Sequence, residues 1–107
     1  MKGSQGKHDS LIELVAEELD RRGYQSVYKN TEYSVKSCGE IDLWTKRDGY
    51  VLLFEMKCND TYKARRKARE QLSRAERNCF PHNRVFKFYV YNHVYPTVEW
   101  VKNVGGR

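Results

Sequence analysis

Apolar positions in this chain fall into runs with two different periods. Over residues 9–22, Leu11, Val15 and Leu19 recur at four-residue steps, with Ile12 and Leu14 beside them. One apolar stripe on an otherwise charged segment predicts an amphipathic helix. Asp9 or Ser10 can cap its start, and Arg21 and Arg22 suit the negative end of its dipole. Gly23 supplies a left-handed stop. Tyr24 to Lys29 reads as a first strand, and residues 30–38 are polar, a loop or an irregular strand. From Gly39 to Thr45 the period is two: Ile41 and Leu43 face one way, Glu40, Asp42 and Trp44 the other. Asp48-Gly49 then predicts a hairpin turn, and Tyr50 to Lys57 is nearly continuously apolar, as in a central strand covered on both faces. Residues 61–79 read as a second helix with an inner stripe of Ala64, Ala68, Leu72, Ala75 and Cys79, ended in the region of Pro81. Arg84 to Tyr91 is a strong strand and Thr97 to Lys102 a last, edge strand. The order predicts an α/β domain: a mixed β-sheet of four or five strands flanked by two helices. Residues 1–8 read as a flexible tail and residues 9–107 as a single domain.

Composition narrows the partners. A chain of 107 residues is one domain, and 32% charged residues with a mean hydropathy of -0.87 leave a small core, for which a homodimer would compensate. No apolar run approaches the roughly 20 residues that span a bilayer. Met1 to His8 contains no apolar segment and does not read as a signal peptide. Cys38, Cys58 and Cys79 form no close pair, and the three histidines give no zinc-ligand spacing. The expectation is a reduced, cytoplasmic protein. The net charge is +6 and the pI about 9.3. That charge is uneven: residues 1–56 hold eight Lys/Arg against ten Asp/Glu, whereas residues 57–77 hold eight against three. Carboxylates in one half and a basic helix in the other fit an anionic partner, most often nucleic acid.

The chemistry sits where charge interrupts an apolar strand. Glu55 and Lys57 close the run Val51 to Phe54 and, two apart on a strand, share a face. Burying a carboxylate costs several kcal/mol unless it is paired or binds a cation. Simple pairing across the Asp48-Gly49 hairpin brings Asp42 near Glu55. Two carboxylates that close repel, and a divalent cation between them relieves the repulsion. Magnesium suits hard oxygen donors and keeps several waters. Asp42, Glu55 and the backbone carbonyl of Met56 are candidate donors, with Lys57 placed to orient or help deprotonate a water attacking phosphorus.

The string Gly39-Glu40-Ile41-Asp42-Leu43, a turn, then Phe54-Glu55-Met56-Lys57 resembles the PD-(D/E)XK nuclease superfamily, most closely small archaeal Holliday-junction-resolvase-type nucleases. By order of elements the resemblance covers residues 9–91. It implies a restriction-endonuclease-like fold and a Mg²⁺-dependent phosphodiesterase, with Mn²⁺ able to substitute. Asp42 and Glu55 would be ligands and Lys57 the catalytic amine. The family's first helix often adds an acidic residue to the metal site. In that register the position falls on Ile12; Glu13 is adjacent, His8 and Asp9 lie one turn earlier, and the ligand can also be absent.

The expected function is a DNA endonuclease acting on duplex or branched substrates. Lys63, Arg66, Lys67, Arg74 and Arg77 of the second helix would bind phosphates. A homodimer would set two sites on two strands. The alternative is a non-catalytic nucleic-acid-binding module that keeps the fold, for which Ile12 is the best support. Gln71 borders the inner stripe, either contacting the site or simply flanking it. Cys58 reads as a strand-end packer, and Tyr89 and Tyr91 as core and surface residues rather than base-stacking platforms. Trp44 is expected beneath the second helix.

Overall fold

A computed structural model describes residues 3–32, 40–92 and 96–101, with side chains described over 6–30 and 41–91. The elements run α1 (Gly3–Arg21), β1 (Val27–Glu32), β2 (Glu40–Arg47), β3 (Tyr50–Lys57), α2 (Tyr62–Cys79), β4 (Arg84–Asn92) and β5 (Pro96–Val101). The five strands form one sheet in chain order. β1–β2, β2–β3 and β4–β5 are antiparallel; β3 and β4 are parallel, joined by α2 as the crossover. This is the mixed α/β sheet with two helices that the apolar pattern predicts.

Local chemistry explains the element ends. The Gly23 N–H donates to the Asp20 carbonyl and the Tyr24 N–H to that of Leu19, a Schellman closure with Gly23 at φ 92°. Asp48 and Gly49 both have positive φ, 53° and 86°, the geometry of a type I′ hairpin turn. Thr61 caps α2, its hydroxyl oxygen accepting from the Ala64 N–H at 3.0 Å.

β3 is the centre of the molecule, with Val51 through Met56 all buried. Leu52, Phe54 and Met56 face α1 and join Leu11, Ile12, Val15, Leu19, Leu43 and Val90 in one core. Val51 and Leu53 face α2 and join Ala68, Leu72, Ala75, Phe80 and Tyr89 in the other. Among the described residues no helix is long and apolar enough to cross a membrane.

Four expectations need correction. Residues 3–8 are not a tail but the first turns of α1. Apolar spacing reports burial rather than helicity, so a polar helical extension leaves no trace in it. β1 starts at Val27, three residues later than expected, because the Gly23–Tyr24 closure holds the chain and Ser26 gives its carbonyl to the Thr45 hydroxyl. Ile41 and Leu43 do not share a face: Ile41 joins the core under α2 and Leu43 the core under α1. The β1–β2 register steps from Lys29–Leu43 to Thr31–Ile41, skipping Asn30 and Asp42, and Asn30 has φ 50°. The register is the same on both sides of this unpaired position, so a local backbone distortion, not a slip, accompanies the change of face. Finally, Cys79 is disulfide-bonded whereas Cys58 is not. A count of three widely spaced cysteines therefore did not imply thiols reduced throughout. Cys38 and most of the polar segment 30–38 lie outside the described residues.

Candidate functional site

The regular β2–β3 pairing runs from Arg47–Tyr50 to Leu43–Phe54. Immediately beyond it lie Asp42 and Glu55. The Asp42 carboxylate enters the gap between the strands, where Oδ2 accepts the Met56 backbone N–H at 2.9 Å. A side chain there satisfies a buried backbone donor that the ladder no longer serves. The same oxygen lies 3.2 Å from His8 Nε2, carried by the early turns of α1. Glu55, on the α2 side of β3, lies near enough for the Asp42 charge to act on its carboxyl.

Both acids are buried, Asp42 at 7% and Glu55 at 5% exposure. Burial pushes the Glu55 carboxyl up to about 8; the Asp42 charge adds to the rise and the Lys57 ammonium opposes it. At neutral pH and without a cation, a proton on Glu55 therefore relieves the repulsion between the pair. Lys57 Nζ is 3.5 Å from Glu55 Oε2 and donates to Gln71 Oε1 at 3.1 Å. Gln71 is thus a direct contact of the site, holding the ammonium from α2.

Asp42, Glu55 and Lys57 are accordingly brought together, and Met56 lies between them with its N–H engaged by Asp42. Glu13 is not part of this group. Its carboxylate is exposed and paired with Lys29 of β1 at 3.0 Å, because its position on α1 faces the edge strand. Ile12 is in the core at 1% exposure, so that helix position is given to packing. The α1 residue that reaches the site is His8. Its signal in the sequence was a lone histidine one turn before the expected position, inside a segment with no apolar period.

Among the described residues, no group of three or more His, Cys, Asp and Glu side chains is arranged to hold a metal ion. Two neighbouring carboxyls are a poor set for zinc, which takes at least three protein ligands, but they match the one or two carboxylates typical for magnesium.

All five basic residues expected to bind phosphate are exposed on α2: Lys63, Arg66, Lys67, Arg74 and Arg77. Among the described residues none of the five is drawn into an ion pair. Arg65, by contrast, is committed to Asp60 at 2.6 Å. Lys67 and Arg74, with Glu70 and Gln71, line a groove of about 350 Å³ whose remaining wall is Lys57. The groove therefore joins the cationic side of α2 to Lys57, whose Nζ lies 3.5 Å from Glu55 Oε2. Lys63, Arg66 and Arg77 lie outside that groove on the same helix.

The chain matches no protein-family model, and no curated protein matches it with significance.

Proposed function

We propose that this protein is a magnesium-dependent endonuclease that hydrolyses DNA phosphodiester bonds, of the PD-(D/E)XK type that its motif resembles. The observation that carries this reading is the meeting of Asp42, Glu55 and Lys57 at the end of β3, at the mouth of a groove lined by Lys67 and Arg74. A structural ion pair needs one acid and one base. Here Lys57 meets Glu55, Asp42 is held by His8 and the Met56 N–H, and the two buried carboxyls lie side by side, a surplus of acid that a divalent cation between them would balance.

Asp42 and Glu55 would hold the cation, with the Met56 carbonyl as a third oxygen and Mn²⁺ as an alternative ion. The bound ion would supply charge neutralisation at the phosphate and acidify the attacking water. The chain's own residues do the remainder. His8 and the Met56 N–H fix Asp42 Oδ2 and so hold that carboxylate in place. Glu55 would bind the cation as the carboxylate, its proton passing to solvent. Lys57, steadied by Gln71, is placed to orient the water and offset charge building on the phosphoryl oxygens. Lys67 and Arg74 position the backbone on either side.

The decisive experiment incubates the protein with labelled four-way junction, flap, single-stranded and duplex DNA, with Mg²⁺, Mn²⁺ or EDTA. Cleavage dependent on the divalent ion and lost in Lys57→Ala supports the proposal. Binding without cleavage, equal in wild type and Lys57→Ala, would replace it with the non-catalytic binding module. That second reading draws on the core position of Ile12 where the superfamily's helix often carries an acid. A homodimer, proposed from the small core, would appear in sedimentation as twice the monomer mass.

A further inference from the structure

α2 packs over β3 and β4. On the same face of the sheet, toward β1, is an aromatic pair that the proposed chemistry does not use. Tyr28 of β1 is in register with Trp44 of β2, and the rings stack at 4.4 Å with 23° between their planes. Trp44 is half-buried, resting on Phe80 at 5.1 Å. Tyr28 is 44% exposed, one of three large hydrophobic residues so placed among those described. The indole is thus an anchored base and the phenol an outer plate.

The location of this plate gives it meaning. Trp44 pairs with Leu53, which shares the α2-side face with Glu55 and Lys57. Trp44 is two residues from Asp42 along β2, about 7 Å at strand rise. A strand of nucleic acid whose phosphate meets the carboxylates, and whose backbone follows Lys57, Lys67 and Arg74, has an adjacent base within reach of the plate. Every nucleobase offers a flat face to such a ring, whereas in a continuous duplex those faces are covered by the neighbouring base pairs.

We propose that Tyr28, backed by Trp44, is a stacking platform for an unpaired base beside the phosphate seated at Asp42 and Glu55. The inference rests on reading the groove as a nucleic-acid path and adds the substrate class: a single strand, or the unpaired nucleotide of a flap or branch. The charge of the groove selects this occupant over an apolar peptide, because Lys57, Lys67 and Arg74 line the path that a polyanion reaching the carboxylates would take.

The test is binding in EDTA, so that no cleavage intervenes. Fluorescence anisotropy follows a labelled 12-nucleotide oligothymidylate, the same strand with abasic sites, and a blunt duplex. Stacking of one base predicts about tenfold tighter binding of oligothymidylate by wild type than by Tyr28→Leu, with Tyr28→Phe retaining wild-type affinity. Wild type binds the abasic strand about tenfold more weakly than the intact one, a comparison that requires no variant to fold. Duplex binding is the same in wild type and Tyr28→Leu. Equal affinity of wild type for the abasic and intact strands, or no binding of single strands, overturns the platform. So does loss of a dimer in Tyr28→Leu, which would make the plate a contact between copies. Failure of divalent-dependent cleavage in the preceding assay would remove the nuclease reading while leaving this binding result intact, so the two fail separately.

Discussion

At the scale of single residues, Glu55 makes the sharpest prediction. Its carboxyl is held near 8, well above the unfolded value of 4.5, chiefly by burial and next by the charge of Asp42. A raised carboxyl binds its proton more tightly in the folded state. The stability it contributes is full below pH 4.5 and is lost as pH rises through 8. Glu55→Gln, a neutral isostere, removes this dependence. In thermal melts without divalent ions, wild type is expected to lose Tm between pH 4.5 and 8 relative to Glu55→Gln, with the curves converging at the acid end. A magnesium ion held by the pair, as proposed, would reverse the loss by replacing the proton as the balancing charge. The Tm gain on adding Mg²⁺ should therefore be larger at pH 8.5 than at pH 6, and absent in Glu55→Gln. A wild-type Tm that tracks Glu55→Gln across the range would mean that the carboxyl ionises freely and the pair is not strained. His8 supports a second, smaller prediction. His8→Ala removes one of the two hydrogen bonds to Asp42 Oδ2 while that of Met56 persists. The fold should survive with a loss of about 1 kcal/mol. Mn²⁺ affinity measured by calorimetry should fall about tenfold, the lower end of the effect expected when a ligand's orienting partner is removed.

At the scale of elements, α2 is joined to the sheet by more than its apolar stripe. Lys87 of β4 is buried at 2% and its ammonium donates to Glu76 Oε1 of α2 at 2.7 Å. Glu76→Gln leaves that ammonium without its counter-charge and is expected to cost roughly 3 kcal/mol in urea unfolding. The double change Glu76→Leu with Lys87→Met, which removes both charges, should cost far less; equal losses would show that the pair contributes packing alone. Neither partner was legible as such in the sequence, since each sits in a segment whose charge reads as solvated. The legible features were those whose chemistry is local. Gly23 needed φ of 92°, Asp48-Gly49 needed two left-handed residues, and the apolar run of β3 needed cover on both faces. Features set by distant partners were not: the helical turns at residues 3–8, the turned-over side chains of Ile41 and Leu43, and the Cys79 disulfide. The same divide runs through the site. Asp42, Glu55 and Lys57 follow from strand period and hairpin register. His8 becomes visible only when α1 lies across the sheet, and Glu13, one residue from the expected position, is turned to Lys29.

At the scale of the whole molecule, charge separation is the organising feature. Lys63, Lys67, Arg74 and Arg77 recur at three-, four- and seven-residue steps along one side of α2, over about 21 Å of helix. Like charges at such spacings destabilise a helix by a few tenths of a kcal/mol per pair. Glu70 is the acid on that side, and it lines the groove rather than neutralising the row. The repulsion is relieved when an anion with regularly spaced charges lies along the helix, as a polynucleotide backbone does. On the proposed function, neutralising each of these four residues in turn should weaken DNA binding alike for all sequences and lower the slope of log K against log salt by about one unit per residue. Lys67→Gln and Arg74→Gln should in addition depress cleavage beyond their effect on binding, because they line the groove that opens on Lys57. Lys63→Gln and Arg77→Gln, outside it, should change binding alone. A salt slope unmoved by all four would place the nucleic acid elsewhere on the surface. With it would go the connection between the basic helix and the buried carboxylates, leaving Asp42 and Glu55 as a cation site without a substrate track.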